Sequence, residues 1–356
     1  ECAERSKSYA TEAEPVDEEE QPSFEYYPML DGRWQDPEVE AALKDALETR
    51  ILPYAQARYG CPRCAVSTIV VRRYLPGERR MRDPTFDGQA FATAVLGLSH
   101  TSAFEGGLYI QQGASAEMRL YPQLDRGDVF FHSFDLQHGV HVPSGSHYSL
   151  VLWFKDSREA ARDGTTPWLD ALAARGDAHA AYLLGESLEL GSYGRPADAR
   201  RAAELYAAGA RLGHHCSLTR LAYLCQKEAV LKGDSDEAED WWEQSIGFLQ
   251  SAAVRGHAEA QRSFAIVCTQ GIGGKPDYGK AFFWMRCAAE QLDLDAAHDL
   301  ALMYLRGSPD GHIAADAAAG RRWLERAAKM GHRASRVALN DLPPPGQTLP
   351  AMLGDG

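Results

Sequence analysis

Long hydrophobic runs are missing from this sequence: the longest apolar stretches, residues 67–71 and 148–154, fall far short of the roughly 20 residues that a spanning helix needs. No membrane partner is therefore expected. A basic balance is missing too, since 50 Asp and Glu against 37 Lys and Arg give a net charge of −13, which argues against a nucleic-acid face. More than half of that charge sits in residues 1–25, where nine acids face only Arg5 and Lys7, and this stretch is expected to be an acidic, disordered tail. An even cysteine set is absent as well. The seven are scattered at 2, 61, 64, 216, 225, 268 and 287, so a disulfide framework is not expected and a reducing, cytoplasm-like compartment is the default. Cys61-Pro-Arg-Cys64 has the spacing of a redox or zinc pair, but no second pair or finger-spaced His accompanies it, so a plain loop is the expectation. The first residue is Glu and no leader-like segment precedes the fold, so the natural N-terminus can lie upstream.

What is present is enough for two domains: 356 residues at 45% apolar content exceed a single core. In the C-terminal half Ala-rich marks recur, ending at Gly176, Gly213, Gly256, Leu292 and Gly331, which lie 37, 43, 36 and 39 residues apart. A period near 40 with helix-length patterning between the marks signals stacked helical hairpins, none of which can bury its face alone. Within one unit the spacing predicts helices over 257–268 and 278–289, with Gly271, Gly273, Gly274 and Pro276 between them; left-handed Gly ends a helix and Pro fits the first turn of the next. His214, His257 and His332 then read as junction residues, and Trp241, Trp242, Trp284 and Trp323 as fillers of the core between repeats.

In the N-terminal half Asp36-Pro37 opens an amphipathic helix carrying Val39, Leu43, Leu47 and Ile51. Short strand-like runs follow at 66–74, 90–98, 107–111, 128–131 and 146–154, separated by Gly and Pro, a pattern that implies a sandwich or barrel.

The helical units resemble the Sel-like branch of the tetratricopeptide repeats, in which an Ala-rich helix ends in Gly-His or Gly-Asp; Gly176-Asp177, Gly213-His214, Gly256-His257 and Gly331-His332 fit, and Leu292-Asp293 departs. Such arrays hold protein or peptide partners. The blocks Arg73-Tyr74-Leu75-Pro76-Gly77, Asp87, Glu105-Gly106-Gly107-Leu108-Tyr109, Gly127, His138-Gly139-Val140 and 146–153 resemble, in order and spacing, the prolyl 4-hydroxylase type of Fe(II)/2-oxoglutarate-dependent dioxygenase. The resemblance implies a double-stranded β-helix, or jelly roll, over residues 26–158 with flanking helices, an α/α repeat solenoid over 165–341, and a Pro/Gly-rich tail over 342–356.

It also implies a site. The family binds iron through two imidazoles and one carboxylate, which leaves positions for the 2-oxo acid and oxygen. Asp87 and His138 match the carboxylate and the distal His, while Thr85 stands where the first His of the His-x-Asp pair is expected. Among nearby residues, His132 is the substitute favoured over His141, Asp135 and Asp83. His147 occupies the place of the Arg or Lys that grips the cosubstrate's distal carboxylate, with Ser149, Thr93 and Tyr109 as further pocket residues. A basic run, Arg72, Arg73, Arg79, Arg80 and Arg82, lies near the expected cleft mouth. Fe(II) and 2-oxoglutarate are the implied cofactors, with ascorbate admitted as an accessory. Two functions follow: a protein or peptide hydroxylase, prolyl substrates included, or an inactive pseudo-oxygenase acting as a protein-binding scaffold.

Overall fold

The structure is a computed structural model that describes residues 10–11, 24–76, 80–111, 119–233 and 235–343. Most of the acidic tail, Gly77, Arg79, the side chain of Asp83 and the C-terminal tail past residue 343 lie outside the described residues. The chain divides into two compact units, the first built mainly from residues 22–111 and 120–205 and the second mainly from 206 onward.

The first unit begins with β1 (Phe24–Leu30) and the short β2 (Arg33–Trp34). Asp36 then caps α1 (Pro37–Ala46), its Oδ1 accepting from Glu38 N at 2.8 Å and Val39 N at 3.1 Å. A π-helical turn, Leu47–Ile51, joins α1 to α2 (Leu52–Arg58). Pro53 explains the widened turn, because its missing N–H leaves a carbonyl of the preceding turn without its usual donor. Among the described residues seven longer strands follow: β3 (Ala65–Tyr74), β4 (Met81–Thr85), β5 (Ala92–Gly97), β6 (Phe104–Gln111), β7 (Val129–Ser133), β8 (His138–Gly145) and β9 (His147–Lys155). They form two antiparallel sheets, one ordered β1-β3-β9-β5-β7 and one carrying β4-β8-β6.

Period-2 alternation gives the larger sheet two different faces. Ile69, Val71, Leu150, Leu152, Ala92 and Ala94 pack under Leu47 and Ala55 of the α1–α2 segment, whereas Val70, Val151 and Val95 meet Leu108 of the second sheet. The longer strands that sequence patterning misses are β1, β4 and β8; the two-residue β2 escapes it as well. Pro28, Pro84, and Gly139 with Pro143 interrupt their patterns, and such residues are tolerated at edges and bulges; β8 carries a register shift against each neighbour.

Cys61 and Cys64 are disulfide-bonded, with Cα atoms 5.4 Å apart, which corrects the expectation of a plain loop. The tight turn after α2, closed by Cys64 N donating to Cys61 O at 3.0 Å, brings the two side chains together. Helices α3 (Arg158–Asp163), α4 (Pro167–Ala174) and α5 (Ala178–Leu190) complete the unit. Trp168, Leu169, Leu183 and Leu184 share a core with Phe86, Phe91 and Phe134, so the first helical hairpin packs with the strands.

Helix α6 (Ala199–Arg211) leads into the second unit, made of α7 (His215–Lys232), α8 (Asp236–Val254), α9 (Ala258–Gln270), α10 (Tyr278–Glu290), α11 (Leu294–Arg306), α12 (Ala317–Lys329) and α13 (Arg333–Asp341). Small residues at the repeated marks, among them Ala252, Ala253, Ala288, Ala289 and Ala327, are buried where hairpins meet. The marks also set the turns: Gly213, Gly256 and Gly331 have φ of +82°, +88° and +109°, and Leu292 is forced to φ +71° at the corresponding place. His214 and His332 cap α7 and α13 through Nδ1, as junction residues should. No described helix is long and apolar enough to cross a membrane.

Candidate metal centre

Strand register delivers the site. Cross-strand pairing places Thr93 of β5 opposite His132 of β7, and opposite Trp153 of β9 on its other side, all on the inner face. His138 opens β8, and Asp87 lies just past β4 in the turn closed by Ala90 N donating to Asp87 O. These elements converge: His132 Nε2 and His138 Nε2 each lie 3.7 Å from Asp87 Oδ2, and the two imidazole centroids are 4.2 Å apart. All three residues are buried, and their donor atoms lie within 4.8 Å of one another.

Hydrogen bonds orient both rings. His132 Nδ1 lies 3.0 Å from Ser133 O and His138 Nδ1 lies 3.0 Å from Leu136 O; a carbonyl can only accept, so each Nδ1 carries a proton and each ring turns its Nε2 toward Asp87. His132 Nε2 is buried with no hydrogen-bond partner among the described residues. Burial, and then His138, push His132 down to about 4 against the pull of Asp87, so its imidazole is neutral at neutral pH. Burial raises the Asp87 pKa, but His138, His132, the donated Thr93 hydroxyl and Arg72 together hold it below the usual carboxylate range. Two imidazoles and one carboxylate on one face suit a first-row metal with open positions.

The remaining residues singled out by the sequence divide. Thr85 is exposed at the end of β4 and takes no part in the cluster. Asp135 is exposed and accepts from Ser133 Oγ, and His141 Nδ1 sits 3.3 Å from Tyr121 Oη. His147 and Ser149 line a small cavity with Val95, Phe104 and Leu108. Burial pushes His147 down to about 4, so it enters that cavity as a neutral ring lying between Tyr74 and Phe104. Tyr109 departs from expectation. Alternation along β6 turns Leu108 inward and Tyr109 to the opposite face, where its hydroxyl donates to Arg82 O at 3.0 Å and its ring packs on Gly139.

One inward residue carries no motif. Arg72 is the cross-strand neighbour of Ser149 and places a guanidinium beside the Trp153 ring, 5.6 Å from its centroid, close enough to lower the pKa of Asp87. Glu25, 1% exposed, holds both Arg72 and Arg82, the latter at 2.9 Å. The alternation Val70, Arg72, Tyr74 was a signal available in the sequence, hidden by the apparent surface character of the surrounding basic run.

Comparison with known proteins gives the following relatives. Protein SHC1 of Saccharomyces cerevisiae is 29% identical over 180 residues, covering 49% of this chain and 33% of the relative, so the chain spans about a third of the length of the curated relatives it matches. A Sel1 repeat protein from Oxalobacter formigenes is similar at 24% identity and a TM-score of 0.42, covering 49% of this chain and 68% of that one. A 2OG-Fe(II) oxygenase-family oxidoreductase from Burkholderia pseudomallei is similar at 18% identity and a TM-score of 0.35, covering 42% of this chain and 72% of that one. The Sel1 repeat family model matches residues 178–214, 217–246, 258–291 and 294–332, and the helical part of this chain is accordingly an array of Sel1 repeats.

Proposed function

We propose that this protein is an Fe(II)- and 2-oxoglutarate-dependent dioxygenase that hydroxylates a protein or peptide side chain, with prolyl residues as the first class to test. In this reading residues 26–158 are the oxygenase module, the facing sheets form a double-stranded β-helix, and the repeats over 165–341 recruit the substrate, since Sel1 repeats generally mediate protein–protein contact. The observation that carries the reading is the convergence of Asp87, His132 and His138, with both Nε2 atoms 3.7 Å from one carboxylate oxygen.

The residues fit the metal. The buried Nε2 of His132 lacks any partner among the described residues, and an ion held by this face would satisfy it. His132 thus takes the role left vacant by Thr85, and Thr93 holds the Asp87 carboxylate in place by hydrogen bonding to Oδ2. Iron bound there supplies the redox chemistry that couples decarboxylation of the 2-oxo acid to hydroxylation of a C–H bond. In the cavity, neutral His147 offers one hydrogen bond and Ser149 another, while Arg72, the cross-strand neighbour of Ser149, carries a charged planar fork suited to a carboxylate. The apolar walls from Val95, Phe104 and Leu108 keep water from competing.

The scaffold reading, a pseudo-oxygenase, is favoured by one feature: Glu25 already engages Arg72, and His147 carries no charge to replace it. An anaerobic Fe(II) titration with and without 2-oxoglutarate, followed by admission of oxygen and measurement of succinate, separates the two. The dioxygenase reading expects a metal-to-oxo-acid absorption band and succinate release. Absence of both would establish the scaffold.

A further inference from the structure

A second cluster of donors lies in the second unit, far along the sequence from Asp87 and unused by the proposed reaction. His215 and Cys216 open α7, and His257 stands at the start of α9; their donor atoms lie within 4.8 Å of one another. Cys216 is reduced and buried. His257 occupies the same junction position as His214 and His332, which cap their helices by accepting from Ser217 N and Ser335 N. His257 makes no such capping bond. Its ring turns instead toward α7, with Nδ1 2.8 Å from Thr219 Oγ1 and Nε2 3.6 Å from Cys216 Sγ.

The hydroxyl fixes the tautomer. Thr219 Oγ1 donates its one proton to His215 O at 3.0 Å, so toward His257 it can only accept, and His257 Nδ1 must be the donor. Nε2 therefore presents a lone pair to the Cys216 sulfur and to the His215 ring, whose centroid lies 5.0 Å from that of His257. This is how metal-binding imidazoles are held: one nitrogen anchored, the other aimed. Tetrahedral zinc, with bonds of about 2.3 Å to sulfur and about 2.0 Å to nitrogen, sets a sulfur-to-nitrogen edge of about 3.5 Å. The observed 3.6 Å matches it. Burial pushes His257 down to about 3 and also lowers His215, so both rings are unprotonated donors at neutral pH. The charges facing the cluster are Arg255, beside His215, and Arg220, beside His257; both oppose a cation, and a thiolate at Cys216 is what offsets them.

We propose that His215, Cys216 and His257 form a zinc site that ties the first turn of α7 to the start of α9, with a fourth position open to water. A mixed sulfur and imidazole set selects a borderline or soft ion such as zinc over magnesium or calcium. Binding converts the Cys216 thiol to a thiolate and releases its proton to solvent.

The test uses the full chain and cobalt(II), then zinc(II), as the only added ions. The expected result is a thiolate-to-cobalt absorption band that persists in Asp87→Ala, disappears in Cys216→Ser and His257→Gln, and is bleached by one equivalent of zinc. Zinc affinity in Cys216→Ser should fall by at least about 100-fold. If those variants do not fold, alkylation of Cys216 in the parent, mapped by peptide mass, should slow at least tenfold when zinc is present. No thiolate band in the parent, a band surviving in Cys216→Ser, or an alkylation rate indifferent to zinc would each overturn the proposal and leave an ordinary S–H···N hydrogen bond.

Discussion

Replacing His132 by Ala and, separately, Thr85 by His sets two accounts of the metal centre against each other. If the His-x-Asp motif were decisive, Thr85→His would restore the missing ligand; because Thr85 is exposed and His132 already faces Asp87 at 3.7 Å, Thr85→His should leave Fe(II) affinity unchanged. His132→Ala should weaken it by at least about 100-fold, since loss of a residue that merely supports a ligand costs 10–100-fold. In the metal-free protein the cost is small. Removing a buried nitrogen that lacks a partner returns roughly 1–3 kcal/mol, which offsets much of the packing lost with the ring. With Fe(II) at about 100 times the parent dissociation constant, linkage stabilises the parent by about 2.7 kcal/mol and the variant by only about 0.4 kcal/mol. For a unit of this size the difference is about 5–9 °C in the anaerobic, metal-loaded melting temperature, and near zero in chelator. Equal metal-dependent shifts in the parent and His132→Ala, or tighter binding by Thr85→His, would refute the reasoning.

Arg72→Lys should raise the KM for 2-oxoglutarate by roughly tenfold or more while leaving Fe(II) affinity intact, because the charge beside Glu25 remains and the planar fork is lost; succinate assays read this directly. Lys155 is buried against Trp168 and Tyr193, and burial pushes it down to about 8. Below that pH the folded and unfolded chains both hold the proton and folding bears the desolvation cost; between about 8 and 10.5 only the unfolded chain holds it, so stability rises with pH by about 3 kcal/mol in all. Urea midpoints from pH 7.5 to 10.5 should show that rise in the parent but not in Lys155→Met. Gly176 has φ +85° with nothing within 4 Å of an added Cβ, so Gly176→Ala should destabilise by about 1–2 kcal/mol through the backbone alone. Gly247→Ala, inside α8 with the same open space and no positive φ, should stabilise by about 0.5–1 kcal/mol; denaturant midpoints that move in the same direction for both would contradict the assignment.

The repeat array is legible because its information is local and redundant. Each mark repeats the same Ala-rich helix end and left-handed turn, and the family match covers 178–332 in four pieces. The strands at 66–74 and 146–154 are equally visible as runs of β-branched, aromatic and other apolar residues free of Pro and Gly, whereas β4 and β8 carry Pro and Gly, which local patterning takes for loops. Asp87 and His138 stand out by motif spacing. Thr85 drew attention for the same reason, yet a strand end facing solvent removes it from the site.

The amino-acid order alone thus determines the two kinds of architecture, the inward or outward parity of each strand residue, and the turns that only Gly adopts freely. Which side chains meet was decided by tertiary structure. His132 reaches Asp87 because β7 pairs with β5 in a register that sets it opposite Thr93, Arg72 comes beside Ser149 through the β3–β9 ladder, and Cys216 meets His257 across two stacked hairpins. The physical reason is that pairing register and hairpin stacking minimise exposed apolar area over whole sheets and helices. The polar groups they bring together are therefore neighbours in space at separations that no sequence spacing records.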